Sequence, residues 1–188
     1  MTRVLATLSR CWPPALRRLA GDRRGVSAVE FAMIAPLMIA LYFGCVEVSD
    51  GVAVYRKVSL TATALANLTA QVTSGAISTT DMNNILDAST TIISPYAVAP
   101  LKMSVSCLKF DANKNMTVKW TVTRNGTVPT ISVPSALQVA NSQLIYAEVS
   151  YLYTPVVGYT ISGSLNLADH MYMAPRTSAP AYGTTSCS

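Results

Sequence analysis

Histidine occurs once in this chain of 188 residues, and charged residues of all kinds make up only 12% of it. A single imidazole, His170, supports no histidine-based metal site. Its neighbour Asp169 makes a lone His-Asp pair, which reads as strand surface rather than as a catalytic dyad. Cysteine is also sparse, with four residues. Cys11, Cys45, Cys107 and Cys187 fall at spacings that fit neither zinc nor haem attachment. No glycine-rich phosphate loop and no G-x-S-x-G follows a strand-like run. Serines and threonines are many, but none has an evident base. These absences argue against an enzyme and against any metal or cofactor. Basic residues are also scarce where a nucleic-acid surface would need them. Residues 1–25 carry Arg3, Arg10, Arg17, Arg18, Arg23 and Arg24 against Asp22, which accounts for the whole formal charge of +5. From Val26 onward the basic and acidic residues cancel. The basic pI therefore belongs to a leader, and nucleic acid is excluded as a partner.

What the chain has in excess is apolar length. Just over half of it is hydrophobic, and Phe31 to Val46 runs without a charge. With Val26–Val29 and Val48 the span reaches about 23 residues, interrupted by Glu30 and Glu47; a membrane-crossing helix needs roughly 20. The arginines precede this run, and Glu47 and Asp50 follow it. Positive-inside logic places residues 1–25 in the cytoplasm and 49–188 across the membrane. No A-x-A-like signal-peptidase site follows the run. Gly44-Cys45 has the ending of a lipidation site, but bulky Tyr42 and Phe43 stand where small residues belong, so Cys45 reads as a plain membrane cysteine. Pro36 removes one helix hydrogen bond and predicts a kink. Glu30, an acid at the front of the run, is costly to bury without a partner.

Arg23-Arg24-Gly25-Val26-Ser27-Ala28-Val29-Glu30-Phe31 resembles the processing site of type IV prepilins. More closely, Gly25-x-x-Ala28-Val29-Glu30-Phe31-Ala32-x-x-Ala35-Pro36, followed by Gly44-x-x-Glu47, resembles the TadE-like family of pseudopilins. These minor pilins serve tight-adherence (Tad/Flp) pilus systems of bacteria. Weaker echoes stand at Val149-Ser150-Tyr151-x-Tyr153-x-Pro155 and Met173-Ala174-Pro175-Arg176. The resemblance implies that a prepilin peptidase cuts between Gly25 and Val26, making Glu30 the fifth residue of the mature chain. It implies that the new α-amine pairs with Glu30, within or between subunits. It also implies partners: other pilins and pseudopilins, the inner-membrane assembly platform and membrane lipid. The subunit would be held in the bacterial inner membrane and possess a pilin-like α+β fold with a periplasmic domain. Incorporation into an extracellular pilus, adhesion and biofilm formation follow as expectations.

The remaining residues agree with that fold class. Val54, Val58, Thr61, Leu65, Leu68 and Val72 form a helical stripe, so one helix is predicted from Val26 to Ser74, stopped at Gly75. At 1.5 Å per residue it would be roughly 70 Å long. A second helix is predicted near Thr80-Asp81, capped by Ser78 or Thr80, with Met82, Ile85, Leu86, Ile92 and Ile93 on its apolar face and Ser94-Pro95 at its end. The period then becomes two. Leu101, Met103, Val105 and Cys107 alternate with polar residues, as do Met116, Val118, Trp120 and Val122 after a turn at 111–115. This predicts an antiparallel hairpin with one wet face. A turn at Arg124-Asn125-Gly126, a short helix at Ser135–Ala140, a strand at Leu144–Tyr153 and another at Asp169–Met173 complete the pattern. Tyr151, Tyr153, Tyr159 and Tyr172 read as ordinary strand residues. Three sequons, at Asn67, Asn115 and Asn125, occur at a chance-level motif. In the periplasmic setting, where disulfides persist, Cys107 and Cys187 are expected to pair, while Cys11 would leave with the leader. The rival reading is a permanently anchored, unprocessed periplasmic binding or adhesion module.

Overall fold

The computed structural model describes residues 24–72, 75–155, 163–176 and 180–187. The leader arginines up to Arg23, Cys11 and Tyr159 lie outside the described residues. The chain divides into two compact units, Met1–Cys45 and Val46–Ser188. Every described residue of the first is helical, within helix α1 (Arg24–Ala70). The second holds an α+β arrangement: strand β1 (Ala76–Ile77), helix α2 (Thr79–Thr90), β2 (Leu101–Phe110), β3 (Met116–Arg124), β4 (Gln143–Tyr153), β5 (Leu165–Met173) and β6 (Ala181–Tyr182).

In the second unit α1 buries Val54, Val58, Thr61 and Leu65 completely, four positions of the expected stripe. Past Leu65 the buried face continues through Ala66, Thr69 and Ala70, not through Leu68 and Val72, which are half-buried. The helix ends at Ala70, short of the predicted Ser74. The backbone N–H of Arg176 donates to the Ala70 carbonyl, and Val72 N–H turns back to Thr69 O, so the last turn is closed before Gly75 is reached. Gly75 instead takes a positive φ of 84° at the entry to β1.

Ser78 caps α2 in a full capping box: its hydroxyl accepts from Asp81 N–H while the Asp81 carboxylate accepts from Ser78 N–H. Met82, Leu86 and Ser89 are the buried residues of α2, and Ile93 is buried in the 3-10 turn that follows. Lys57 Nζ donates to the carbonyls of Ile92 and Ser94, holding the end of that turn against α1.

Four strands form an antiparallel sheet in the order β3-β2-β4-β5. Its odd-numbered β2 side chains, Leu101, Met103, Val105 and Cys107, join Val54, Val58, Leu65, Leu86, Val149 and Tyr151 in the main core. The other face departs from expectation. Along β2 only Lys102 is exposed; Ser104 and Ser106 are buried, at 5% and 0% exposure. Leu108, Phe110, Tyr146 and Val133 build a second, smaller cluster there. The wet face is thus half covered, because the segment after β3 returns over the sheet. Tyr172 hydroxyl donates to Ser132 O, holding that segment down. The predicted short helix at Ser135–Ala140 contracts to a 3-10 turn at Ser135–Leu137.

The β3 stripe is also reset. Trp120 pairs with Cys107 but Val118 pairs with Leu108, leaving Lys119 as an extra residue in the ladder. Trp120 stays buried, while Met116 and Val118 become 37% and 43% exposed. At the 111–115 turn Asp111 accepts from the side chain of Asn115 and from the N–H groups of Asn115 and Asn113. These bonds, the Asn115 side chain first, hold the Asp111 carboxyl below its ordinary range.

The C-terminal residues are fastened at several points. Cys107 and Cys187 form a disulfide with a Cα–Cα distance of 6.1 Å. Trp120 Nε1 donates to Pro180 O, and β6 pairs in parallel with β1. No sequence periodicity announces β1 or β6, since each is two residues long.

Leu65 has no exposed surface where α1 meets the main core. Leu65→Ala is expected to cost about 2–5 kcal/mol, by lost transfer energy plus a residual cavity. Urea denaturation of the variant beside the parent chain measures this directly.

Candidate functional site

The residues singled out for processing and assembly stand on the first stretch of α1. Gly25 is helical and exposed, and a Cβ built on it would meet nothing within 4 Å. Glycine is therefore not required there by the packing of the described residues, and in a helix it is less favourable than alanine by roughly 1 kcal/mol. Val26 is 54% exposed, and Glu30 follows it by one helical turn. Phe31 is 73% exposed, the start of a run of uncovered apolar side chains through Met33, Ile34, Leu37, Met38, Ile39 and Leu41. Pro36 sits inside α1, and the helix continues through it. Tyr42 and Phe43 meet edge to face, and Cys45 is a free, exposed thiol.

Apolar side chains exposed in such number are not a soluble surface. α1 is long and apolar enough to cross a membrane, and its most apolar window buries none of its residues. That uncovered stretch makes α1 fit to serve as a membrane anchor.

In the second unit α1 presents an acid in a different setting. Glu47 is 2% exposed. It precedes Val54 by two helical turns and so extends the buried stripe backwards, a relation the sequence contained but which its place among the flanking charges obscured. The Tyr153 ring closes over Gly51, 3.8 Å from the position of an added Cβ. Burial raises the Tyr153 phenol above its ordinary value, and the nearby charge of Asp50, the Tyr96 phenol and Glu47 add to the rise.

The two titratable neighbours noted in the sequence point apart, as successive strand residues do. Asp169 accepts from the Ser59 hydroxyl of α1 and from the backbone N–H of His170. His170 lies on the other face, in ring contact with Tyr146 and Tyr172. Tyr146 donates to Glu148 Oε2 at 2.6 Å. Its phenol is pushed strongly upward, by burial first and then by Glu148.

Tyr146, Tyr151, Tyr153 and Tyr172 all have phenols raised above the ordinary 10.0, with burial the largest cause in each. Their contribution to stability is complete below the unfolded-state value and is lost as pH rises from there toward the folded-state values. Stability is accordingly expected to decline above about pH 10, when unfolded tyrosines release protons that the folded chain retains. Denaturant titrations at stepped alkaline pH test this, and Tyr146→Phe should make the decline shallower.

Residues 25–66 match the family model described as TadE-like protein. No curated protein and no solved structure matches the chain.

Proposed function

We propose that this chain, which carries a TadE-like N-terminal region and is thereby associated with Tad pilus systems, is the precursor of a minor pilin or pseudopilin. It acts by assembly and not by catalysis. A prepilin peptidase removes residues 1–25 by cutting between Gly25 and Val26. The freed α-amine, with an ordinary pKa near 7.7–8, is largely cationic at neutral pH. Glu30, one turn away, supplies the opposite charge, on the same helix or on a neighbouring one. In a medium of low dielectric such pairing offsets the cost of holding a carboxylate there. The apolar helix then exchanges lipid for the helices of other pilins at the assembly platform. The domain beyond the membrane meets adjacent subunits in the periplasm and, after assembly, supports adhesion at the cell surface.

The observation that carries this reading is Gly25 itself. It stands within the family match, at the junction of leader and apolar helix, where nothing in the chain's own packing calls for glycine. N-terminal sequencing of the protein recovered from its own host's membranes tests it. A chain beginning at Val26 is expected. One beginning at Met1 would sink the processing mechanism and leave the permanently anchored module in its place.

A further inference from the structure

A cavity of about 260 Å³ opens beside α1 just past the apolar run. Its lining includes Asp50 of α1, Tyr96 and Pro100 from the segment between α2 and β2, and Tyr151, Leu152 and Tyr153 of β4. Tyr151 and Tyr153 belong to the main core, and Tyr96 packs against it, so the fold itself sets the three tyrosines in place. Their polar groups lie close together. After burial, the Asp50 charge and the Tyr96 phenol act on the Tyr153 phenol, and Tyr96 acts on Tyr151 in the same way. No basic residue is among those lining the cavity. Asp50 is exposed and has no ion-pair partner among the described residues. Lys57, two helical turns further along α1, is occupied with the carbonyls of Ile92 and Ser94.

The lining selects a cation. A tyrosine presents to a cavity either the negative face of its ring or its phenol oxygen, and both attract positive charge. Three tyrosines with one carboxylate and no base repel an anion and give a neutral ligand little to distinguish it. The space is below the roughly 300–1,000 Å³ of sites for drug-sized ligands, and it suits a small alkylammonium group. The position of the cavity names the source. Asp50 stands four residues beyond Val46, where the uncharged run ends. Four helical residues rise about 6 Å. The headgroup layer on one side of a bilayer is about 5–7 Å deep, the difference between its hydrocarbon and full thickness shared between two faces. With the apolar run in the bilayer, Asp50 lies at the depth of lipid headgroups.

We infer that this cavity takes the ammonium group of a zwitterionic phospholipid, with Asp50 as its counter-charge and Tyr96, Tyr151 and Tyr153 as its aromatic walls. The inference rests on α1 serving as a membrane anchor. It requires neither cleavage at Gly25 nor a filament.

The test uses the full chain in uncharged maltoside micelles, with empty micelles as background. Saturation-transfer NMR is recorded against tetramethylammonium, with acetate as the anionic comparison. Tetramethylammonium should bind with a dissociation constant in the millimolar range, and acetate should not bind. Asp50→Asn, at an exposed position with little bearing on folding, should weaken binding about tenfold. Tyr96→Leu should weaken it similarly, whereas Tyr96→Phe, which keeps the ring, should stay within about threefold of the parent chain. Phosphatidylethanolamine or phosphatidylcholine added to the micelles should displace the probe. Diacylglycerol, which has the same tails without the headgroup, should leave it bound. No probe signal, or a signal unchanged in both Asp50→Asn and Tyr96→Leu, overturns the inference. A probe displaced by a lysine-containing peptide but by neither phospholipid also overturns it, and assigns the cavity to a side chain of another protein. Flotation of the parent chain with liposomes reads anchoring separately. A chain that binds the probe but does not float overturns the lipid as occupant without touching the cation preference of the cavity.

Discussion

Gly25→Leu is expected to accumulate as an uncut precursor about 2.7 kDa heavier than the mature subunit, the share of 25 residues in a chain of 188 residues and 20.0 kDa. The loss of processing should be near complete, and with it the loss of pili that depend on this subunit. The substitution is informative because the chain itself has no objection to it. Nothing lies within 4 Å of the added Cβ, and leucine is a better helix former than glycine. Among the described residues nothing in the fold opposes the substitution, so an uncut precursor would point to a partner that reads the glycine. Membrane fractions blotted beside the parent chain give the answer. A Gly25→Leu product of mature size, beginning at Val26, would remove the proposed role of this residue. Glu30→Gln separates the two halves of the mechanism. It should be cut normally, because Gly25 is intact, yet assemble poorly, because the new amine has lost its counter-charge.

Removing the Cys107–Cys187 disulfide should have the largest effect on the stability of the second unit. The bond spans a sequence separation of 80 residues. In the loop-entropy account, closing a loop of that order contributes about 4.5 kcal/mol, within an observed range of about 2–5 for native bridges. Both cysteines have no exposed surface and sit in the main core, so Cys107→Ala and Cys187→Ala each lose some packing as well. The effects should not add in the double variant, because either single change already opens the loop. Denaturant midpoints of the three variants and of the reduced parent chain check this. If reduction leaves the midpoint unchanged, the constraint contributes nothing and the C-terminal segment is held by its other fastenings. Those are the Trp120–Pro180 hydrogen bond, the pairing of β6 with β1 and the Arg176–Ala70 bond.

Where a segment repeats a period over several turns, the order of its residues is enough to identify the element. The stripe from Val54 to Leu65 and the alternation from Leu101 to Cys107 are of this kind, and side-chain chemistry announces the start of α2, though it left Ser78 and Thr80 as alternative caps, of which the structure uses Ser78. The candidate processing residues are legible too, since they form a contiguous motif. What is not legible depends on distant segments. Ser104 and Ser106 alternate as solvent-facing residues would, yet both are buried, Ser106 with its hydroxyl against Thr121 Oγ1 of β3. A pocket that Ser104 borders is assembled by register between β2, β4 and β5, which local pattern does not specify. The end of α1 at Ala70 depends on Arg176, more than a hundred positions along the chain. Glu47 shows a subtler case. Its helical phase places it on the buried face, but an acid among flanking charges invites the reading of a charge at a membrane boundary.

The additional residue at Lys119 has a bearing on crowding. β3 is an outer strand, and a straight outer strand offers unpaired backbone groups to any copy that comes alongside. If copies gather on one membrane, as the proposed function requires, they meet that hazard at high local concentration. The irregular ladder bends the strand, and a lysine placed at the irregularity sets like charges against each other when two such edges approach. Zipping of sheet to sheet is thereby discouraged along this margin, so any contact between copies would fall to surfaces whose side chains can distinguish one neighbour from another.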